Sequence, residues 1–258
     1  MPAPDLFPEE QRVEQFLQGL GLAVHRIALS SSKTPDFRVD GDARGYLFEL
    51  KTRRDSEEWL DSLNEGEVAY QERSTCQDRW AQDGADQALR QFRSEDAQHL
   101  RWWVLWLAIR CRAAMEAMSD QAFGSLFGIR QVVYEDPQSK APLMRDCLFA
   151  TPGVFERHPE IVACVVDRGD RKCLCVNDEF ARDFESFRQS VLWTHFAREH
   201  PPTSASDLVA NRGFFRVDHS IDRKDESAVI AHLELAYGLD GAILIDMKAH
   251  SASKLIRP

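Results

Sequence analysis

The chain has 258 residues, 43% of them hydrophobic and 29% charged, with a formal net charge of −10. That length can bury a substantial core, as one large domain or as a core with an appended lobe. The acidic balance argues against indiscriminate attraction to nucleic acid or anionic membrane but leaves room for a locally basic groove. Val24 to Arg54 is enriched in basic charge, with seven Lys/Arg against four Asp/Glu. No apolar run approaches the ~18–20 residues of a membrane span. The opening MPAPDLFPEE lacks the basic and apolar regions of a signal peptide. Six cysteines in so long a chain do not make a disulfide framework, so a reducing cytoplasmic setting is expected.

Pro8 to Leu20 reads as a helix. Proline suits its first turn, Glu9 and Glu10 meet the positive end of the dipole, and Val13, Phe16, Leu17 and Leu20 form one apolar stripe. Leu22 to Leu29 is an expected strand, followed by a Ser-rich turn. Thr34 to Lys51, TPDFRVDGDARGYLFELK, then reads as a β-hairpin. Phe37 and Val39 alternate with polar neighbours, Asp40-Gly41 is a strong turn dipeptide, and Tyr46 to Leu50 is almost wholly apolar. Alternation puts Glu49 and Lys51 on one face with Leu50 on the other, and Asp36, at the start of the partner strand, can face them.

Arg53 to Gln82 has no clean period and reads as a helical insertion or loop. Ala85 to Ala97 is an expected helix, RWWVLWLAI (101–109) a strand buried on both faces, and Arg112 to Phe127 a further helix. A second region is expected from Gly128, giving domains of 1–127 and 128–258. Its expected elements are strands at Gln131–Tyr134 and Met144–Ala150, a hairpin pairing Ile161–Asp167 with Lys172–Val176, a long helix over Asp178–His200, a helix over Glu226–Tyr237, and a last strand at Ala242–Met247.

Two carboxylates and an ammonium on one rim suit a metal-dependent phosphodiesterase, which must hold hard cations through oxygen and neutralise charge growing on phosphorus. Asp36 and Glu49 would be ligands, the Leu50 carbonyl a further one, and Lys51 a water-holder or charge stabiliser. Pro35-Asp36 followed by Glu49-Leu50-Lys51 resembles the signature of the PD-(D/E)XK nuclease superfamily. EQRVEQFLQGLGLAVHR (10–26) is similar to the opening helix and strand of archaeal Holliday junction resolvases. The resemblance covers about residues 8 to 109. It implies a restriction-endonuclease-like α/β core, a mixed central sheet flanked by helices, and makes Glu10 the helical metal-site carboxylate. It sets Gln87 beside the site, and implies Mg²⁺ or Mn²⁺ as cofactor and DNA as partner. The chain departs from the pattern in some thirty extra residues after Lys51 and in the unmatched C-terminal α+β region, whose expected use is substrate selection or homodimerisation.

Blander readings stand beside these. The hairpin charges can be a solvated face, although Glu49 within YLFEL would then be a costly buried carboxylate. Glu10 can be a dipole-matching residue, with Glu14 in its stead as ligand, and Gln87 an exposed helix side chain. Lys33, Arg38, Arg53 and Arg54 are candidates for phosphate contact or simple loop charge. Cys147, Cys164, Cys173 and Cys175 lack CxxC spacing and read as small hydrophobes, with Cys164 opposite Cys175. His195 and His200 read as structural, and Asp246-Met247-Lys248 as a decoy D-x-K. A non-cleaving nucleic-acid-binding or regulatory protein on the same core is the alternative function.

Overall fold

The computed structural model describes residues 8–27, 34–54, 68–74, 79–111, 115–136, 138–246 and 248–254, the stretches 68–74 and 248–254 by their backbone. The protein is α/β, with parallel and antiparallel strands flanked by helices. It divides into two compact units that interleave along the chain. The first takes the described residues of Met1–Arg53, Asp83–Ile109 and His158–Thr203, and the second those of Arg54–Gln82, Arg110–Arg157 and Ser204–Pro258. Ile161–Asp167 and Lys172–Val176 thus belong to the first unit, whereas a single boundary near Gly128 would put them in the second.

The first unit is built on a six-stranded sheet in the order β1-β2-β3-β5-β8-β9. These strands are β1 (Ala23–Arg26), β2 (Phe37–Asp40), β3 (Tyr46–Arg54), β5 (Trp102–Arg110), β8 (Ile161–Asp167) and β9 (Lys172–Val176). β1, β2 and β3 run antiparallel in sequence, β5 pairs in parallel with β8, and β9 returns antiparallel. The first eight residues of β5 are all buried, as a two-faced strand requires.

On one sheet face, Tyr46, Phe48, Trp102, Val104 and Trp106 meet Val13 and Leu17 of helix α1 (Pro8–Gly19) in a single core. On the other, Trp103 stacks on Phe92 of helix α2 (Arg79–Glu95), with ring centroids 5.4 Å apart. Each indole N–H of the RWWVLW run finds an acceptor: Trp102 on Ser186 Oγ, Trp103 on Asp96 Oδ2, Trp106 on Asp167 Oδ2, at 3.1–3.2 Å. That is how three tryptophans enter one core without leaving donors orphaned. Burying each large side chain is worth roughly 1.5–3 kcal/mol, so β5 anchors the unit.

The hairpin turn is fastened as well. Gly45 has φ +69°, and a Cβ there would lie 3.0 Å from the Val39 carbonyl oxygen, so glycine is required. Tyr46 donates its hydroxyl to Asp42 Oδ2 at 2.5 Å, and the same oxygen accepts the backbone N–H of Val191 at 2.6 Å.

Val191 opens a helix over Val191–Glu199, capped by Ser190, whose Oγ accepts from Trp193 N–H. The long helix expected over Asp178–His200 is therefore broken: Phe184–Phe187 forms one short turn and Val191–Glu199 a separate helix. Phe187 still enters the core with Leu192 and Phe196.

The second unit holds a four-stranded sheet ordered β10-β7-β6-β11. These are β6 (Arg130–Glu135), β7 (Pro142–Leu148), β10 (Phe215–Arg216) and β11 (Asp240–Ile245). Val229 and Leu233 of the helix Glu226–Tyr237 pack on Val132, Tyr134, Ala242 and Leu244. Its N-cap is Asp225, and Gly238 ends it in the left-handed region. The insertion read as helix or loop contains a strand, β4 (Val68–Ser74), paired antiparallel with β12 (Lys248–Lys254). Much of the rest of that insertion lies outside the described residues. Among the described residues no helix is long and apolar enough to cross a membrane.

Candidate functional site

The site is assembled by β3, the residue before β2, and one face of α2. Asp36 donates its backbone N–H to the Phe48 carbonyl at 3.1 Å, and its side chain adds a second tie to β3: Oδ2 accepts the Leu50 N–H at 2.7 Å. Those bonds fix Asp36 against β3. Glu49 is only 2% exposed, and Lys51 Nζ lies 2.6 Å from its Oε1. The other carboxylate oxygen, Glu49 Oε2, is buried and has no hydrogen-bond partner among the described residues.

Helix α2 supplies the ceiling. Gly84, Gln87 and Gln91 fall at helical spacing on one side. A Cβ on Gly84 would stand 3.1 Å from Lys51 Cγ, so the lysine stem lies directly over the glycine. Gln87 and Gln91 offer amide oxygens to Lys51 Nζ at 3.4 and 3.5 Å. Gln91 also donates from Nε2 to the Thr34 carbonyl at 2.8 Å, tying the helix to the segment that leads into Asp36.

The electrostatics follow from the burial. Glu49 is pushed up to about 7, first by burial and then by the negative charge of Asp36, with the Lys51 ammonium pulling the other way. Asp36 is likewise raised: burial is the largest cause and the charge of Glu10 adds to it, while the Leu50 N–H opposes. Two adjacent carboxylates that resist carrying their charges together, one with an orphaned oxygen, form a site that gains from a positive charge. Lys51 supplies one, and a proton or a hard cation bound through oxygen would supply a second.

Glu10 contributes field but not a free carboxylate. Its Oε2 is held by Arg26 Nη1 at 3.2 Å, and Glu14 holds the same guanidinium through Nε at 3.1 Å. Among the described residues no group of three or more His, Cys, Asp or Glu side chains is arranged to hold a metal ion. Asp36 and Glu49 fit a divalent cation on the ground of the orphaned buried oxygen. Glu10 would have to leave Arg26 to join them.

The other candidates fall elsewhere. Lys33 lies outside the described residues. Arg38 is half-buried 3.7 Å from Asp40, and Arg53 and Arg54 have partners of their own. Cys164 stands opposite Cys175 in the β8–β9 register, and burial pushes the Cys147 thiol up to about 12 and the Cys164 thiol up as well, so these are protonated, packed sulfurs. His195 sets its ring edge-on to Phe16 at 5.3 Å. Asp246 makes an exposed ion pair with Arg130 at 3.1 Å, and Met247 lies outside the described residues.

Sequence reading passed over Gln91 and Gly84, which carried a signal in their i, i+3, i+7 spacing with Gln87. Arg26 entered it only as the end of the resembled strand, and its reach back to Glu10 and Glu14 on α1 is tertiary. No family model matches the chain, and neither does any curated protein or any solved structure.

Proposed function

We propose that this protein is a metal-dependent nuclease that hydrolyses DNA phosphodiester bonds at Asp36, Glu49 and Lys51. The observation that carries the reading is Glu49: buried, raised to about 7, paired with Lys51 at 2.6 Å, beside Asp36, and left with one unpartnered oxygen. The succession of helix, three antiparallel strands, helix and strand over residues 8–110, interrupted after β3 by β4 of the insertion, supports it, since helix, strand, hairpin, helix and strand is the order expected of a restriction-endonuclease-like core.

Asp36 and Glu49, with the Leu50 carbonyl, would hold Mg²⁺ or Mn²⁺, and the bound ion would lower the pKa of a water molecule and offset charge on the phosphate. Lys51, pinned between Glu49, Gln87 and Gln91, holds its ammonium where it can orient that water or stabilise the transition state. Gly84 leaves the lysine stem its place, and Gln91 keeps Thr34 and hence Asp36 in register.

A second reading, a protein that binds nucleic acid or a regulatory partner without cutting, is favoured by the Glu10–Arg26 pair, which occupies the expected third ligand. Cleavage of plasmid and branched DNA with Mg²⁺ or Mn²⁺, in wild type, Asp36→Ala and Lys51→Ala, decides between them. The nuclease reading requires metal-dependent nicking by the wild type and its loss, by a hundredfold or more, in both variants. Binding without nicking in all three establishes the second reading.

A further inference from the structure

The second unit contains a cleft of about 340 Å³ that the hydrolytic site does not use, within the ~300–1,000 Å³ range of small-ligand pockets. Its floor is the four-stranded sheet, where Gln131 of β6 and Asp146 of β7 are direct cross-strand partners. Directly opposed residues share a face with Cβ atoms ~4.5–5.5 Å apart, so the amide and the carboxylate stand side by side. Gln131 Oε1 is buried with no hydrogen-bond partner among the described residues. Asp120 adds a second carboxylate, Phe123 and Phe214 supply aromatic surface, and Arg212 is the cation in the lining.

The chemistry of that lining selects a ligand. Two carboxylates and an unsatisfied amide oxygen against one guanidinium make the cleft rich in acceptors, which disfavours an anion within it and favours a group with adjacent N–H donors. Phenylalanine rings favour a flat one. We infer that this cleft binds a guanine base, whose N1–H and exocyclic N2–H₂ form a donor edge matching Asp146 and Gln131, with any attached phosphate directed out of the cleft. Asp or Glu accepting base N–H groups and aromatic side chains covering base faces are the general means of holding an unstacked base. This inference stands apart from the hydrolytic reading, since none of its residues belongs to that site.

The test is calorimetric titration of the full chain with GMP, AMP, CMP and UMP in EDTA, so that the outcome is independent of any metal-dependent reaction. Saturable GMP binding, at least tenfold tighter than that of the other three, is expected. Asp146→Asn should weaken it tenfold or more with the melting temperature unchanged, and Gln131→Leu should weaken it as well. Absence of saturable binding, equal affinity for all four nucleotides, or GMP affinity unaltered in both variants would overturn the assignment. Saturation by arginine methyl ester in place of GMP would overturn it too, since the same acceptors then serve a guanidinium.

Discussion

Lys51 lies across Gly84: a methyl group added to the glycine would sit 3.1 Å from the lysine Cγ. A glycine inside a helix costs about 1 kcal/mol relative to alanine, so α2 is weakened here to leave the ammonium its position. Gly84→Ala should keep or slightly raise the thermal midpoint, by the helix-propensity gain. On the nuclease reading it should lower the DNA cleavage rate at least tenfold, by displacing Lys51 from Glu49. Unchanged cleavage in a folded variant would mean that the lysine position is not critical.

Glu49 links the site to stability. Its folded-state pKa of about 7 lies above the ordinary 4.5. The raised value means that its contribution is fully present below about pH 4.5 and is lost as pH rises through about 7. The span corresponds to about 3 kcal/mol at most. Urea denaturation of wild type and Glu49→Gln across pH 4 to 8 should therefore show the variant gaining relative stability with rising pH. A difference independent of pH would contradict a raised carboxyl in the folded state.

Arg26 holds Glu10 at 3.2 Å while its guanidinium carbon stands 5.6 Å from the Phe37 ring centroid. Arg26→Met retains an apolar stem over Phe37 and frees Glu10. If Glu10 is the third carboxylate of the site, Mn²⁺ affinity in calorimetry should rise several-fold. No change would assign Glu10 to the helix terminus and to Arg26 alone.

What was legible in the sequence was local. The apolar stripe of α1, the alternation around Asp40-Gly41, the hairpin of β8 and β9, and the helix over Glu226–Tyr237 each needed only near neighbours, and each recurs in the structure within a few residues. The helix over Asp178–His200 failed because Phe180, Phe184, Phe187 and Val191 keep helical spacing whether or not the chain is continuous, while the break depends on Ser190 capping and on Asp42, some 150 residues earlier, taking the Val191 N–H. VAYQERS and KAHSASK are too polar to announce strands, and β4 and β12 exist by pairing with each other. The membership of β8 and β9 in the first sheet is also a long-range fact.

At the site the same division holds. The convergence of Asp36, Glu49 and Lys51 was readable because strand alternation dictates which face each takes, whereas the bond from the Leu50 N–H to Asp36 was not foreseen. Gln87 was readable in kind, but Gln91, four residues on, makes the firmer connection through Thr34. Glu9, expected only to meet the positive end of the dipole, is buried, and Glu10 is partly buried and paired. Helix phase near a terminus is set by how α1 docks, which its own twelve residues do not specify.

The central claim is that Asp36 and Glu49 jointly hold a divalent cation beside Lys51. Calorimetric titration of Mn²⁺ into the full chain at pH 6 and pH 8 tests it most directly. Saturable binding that tightens toward pH 8, as the raised Glu49 carboxyl gives up its proton, and that is lost in both Asp36→Asn and Glu49→Gln is the predicted result. Absence of saturable binding in the wild type, or equal binding in the wild type and both variants, would contradict it.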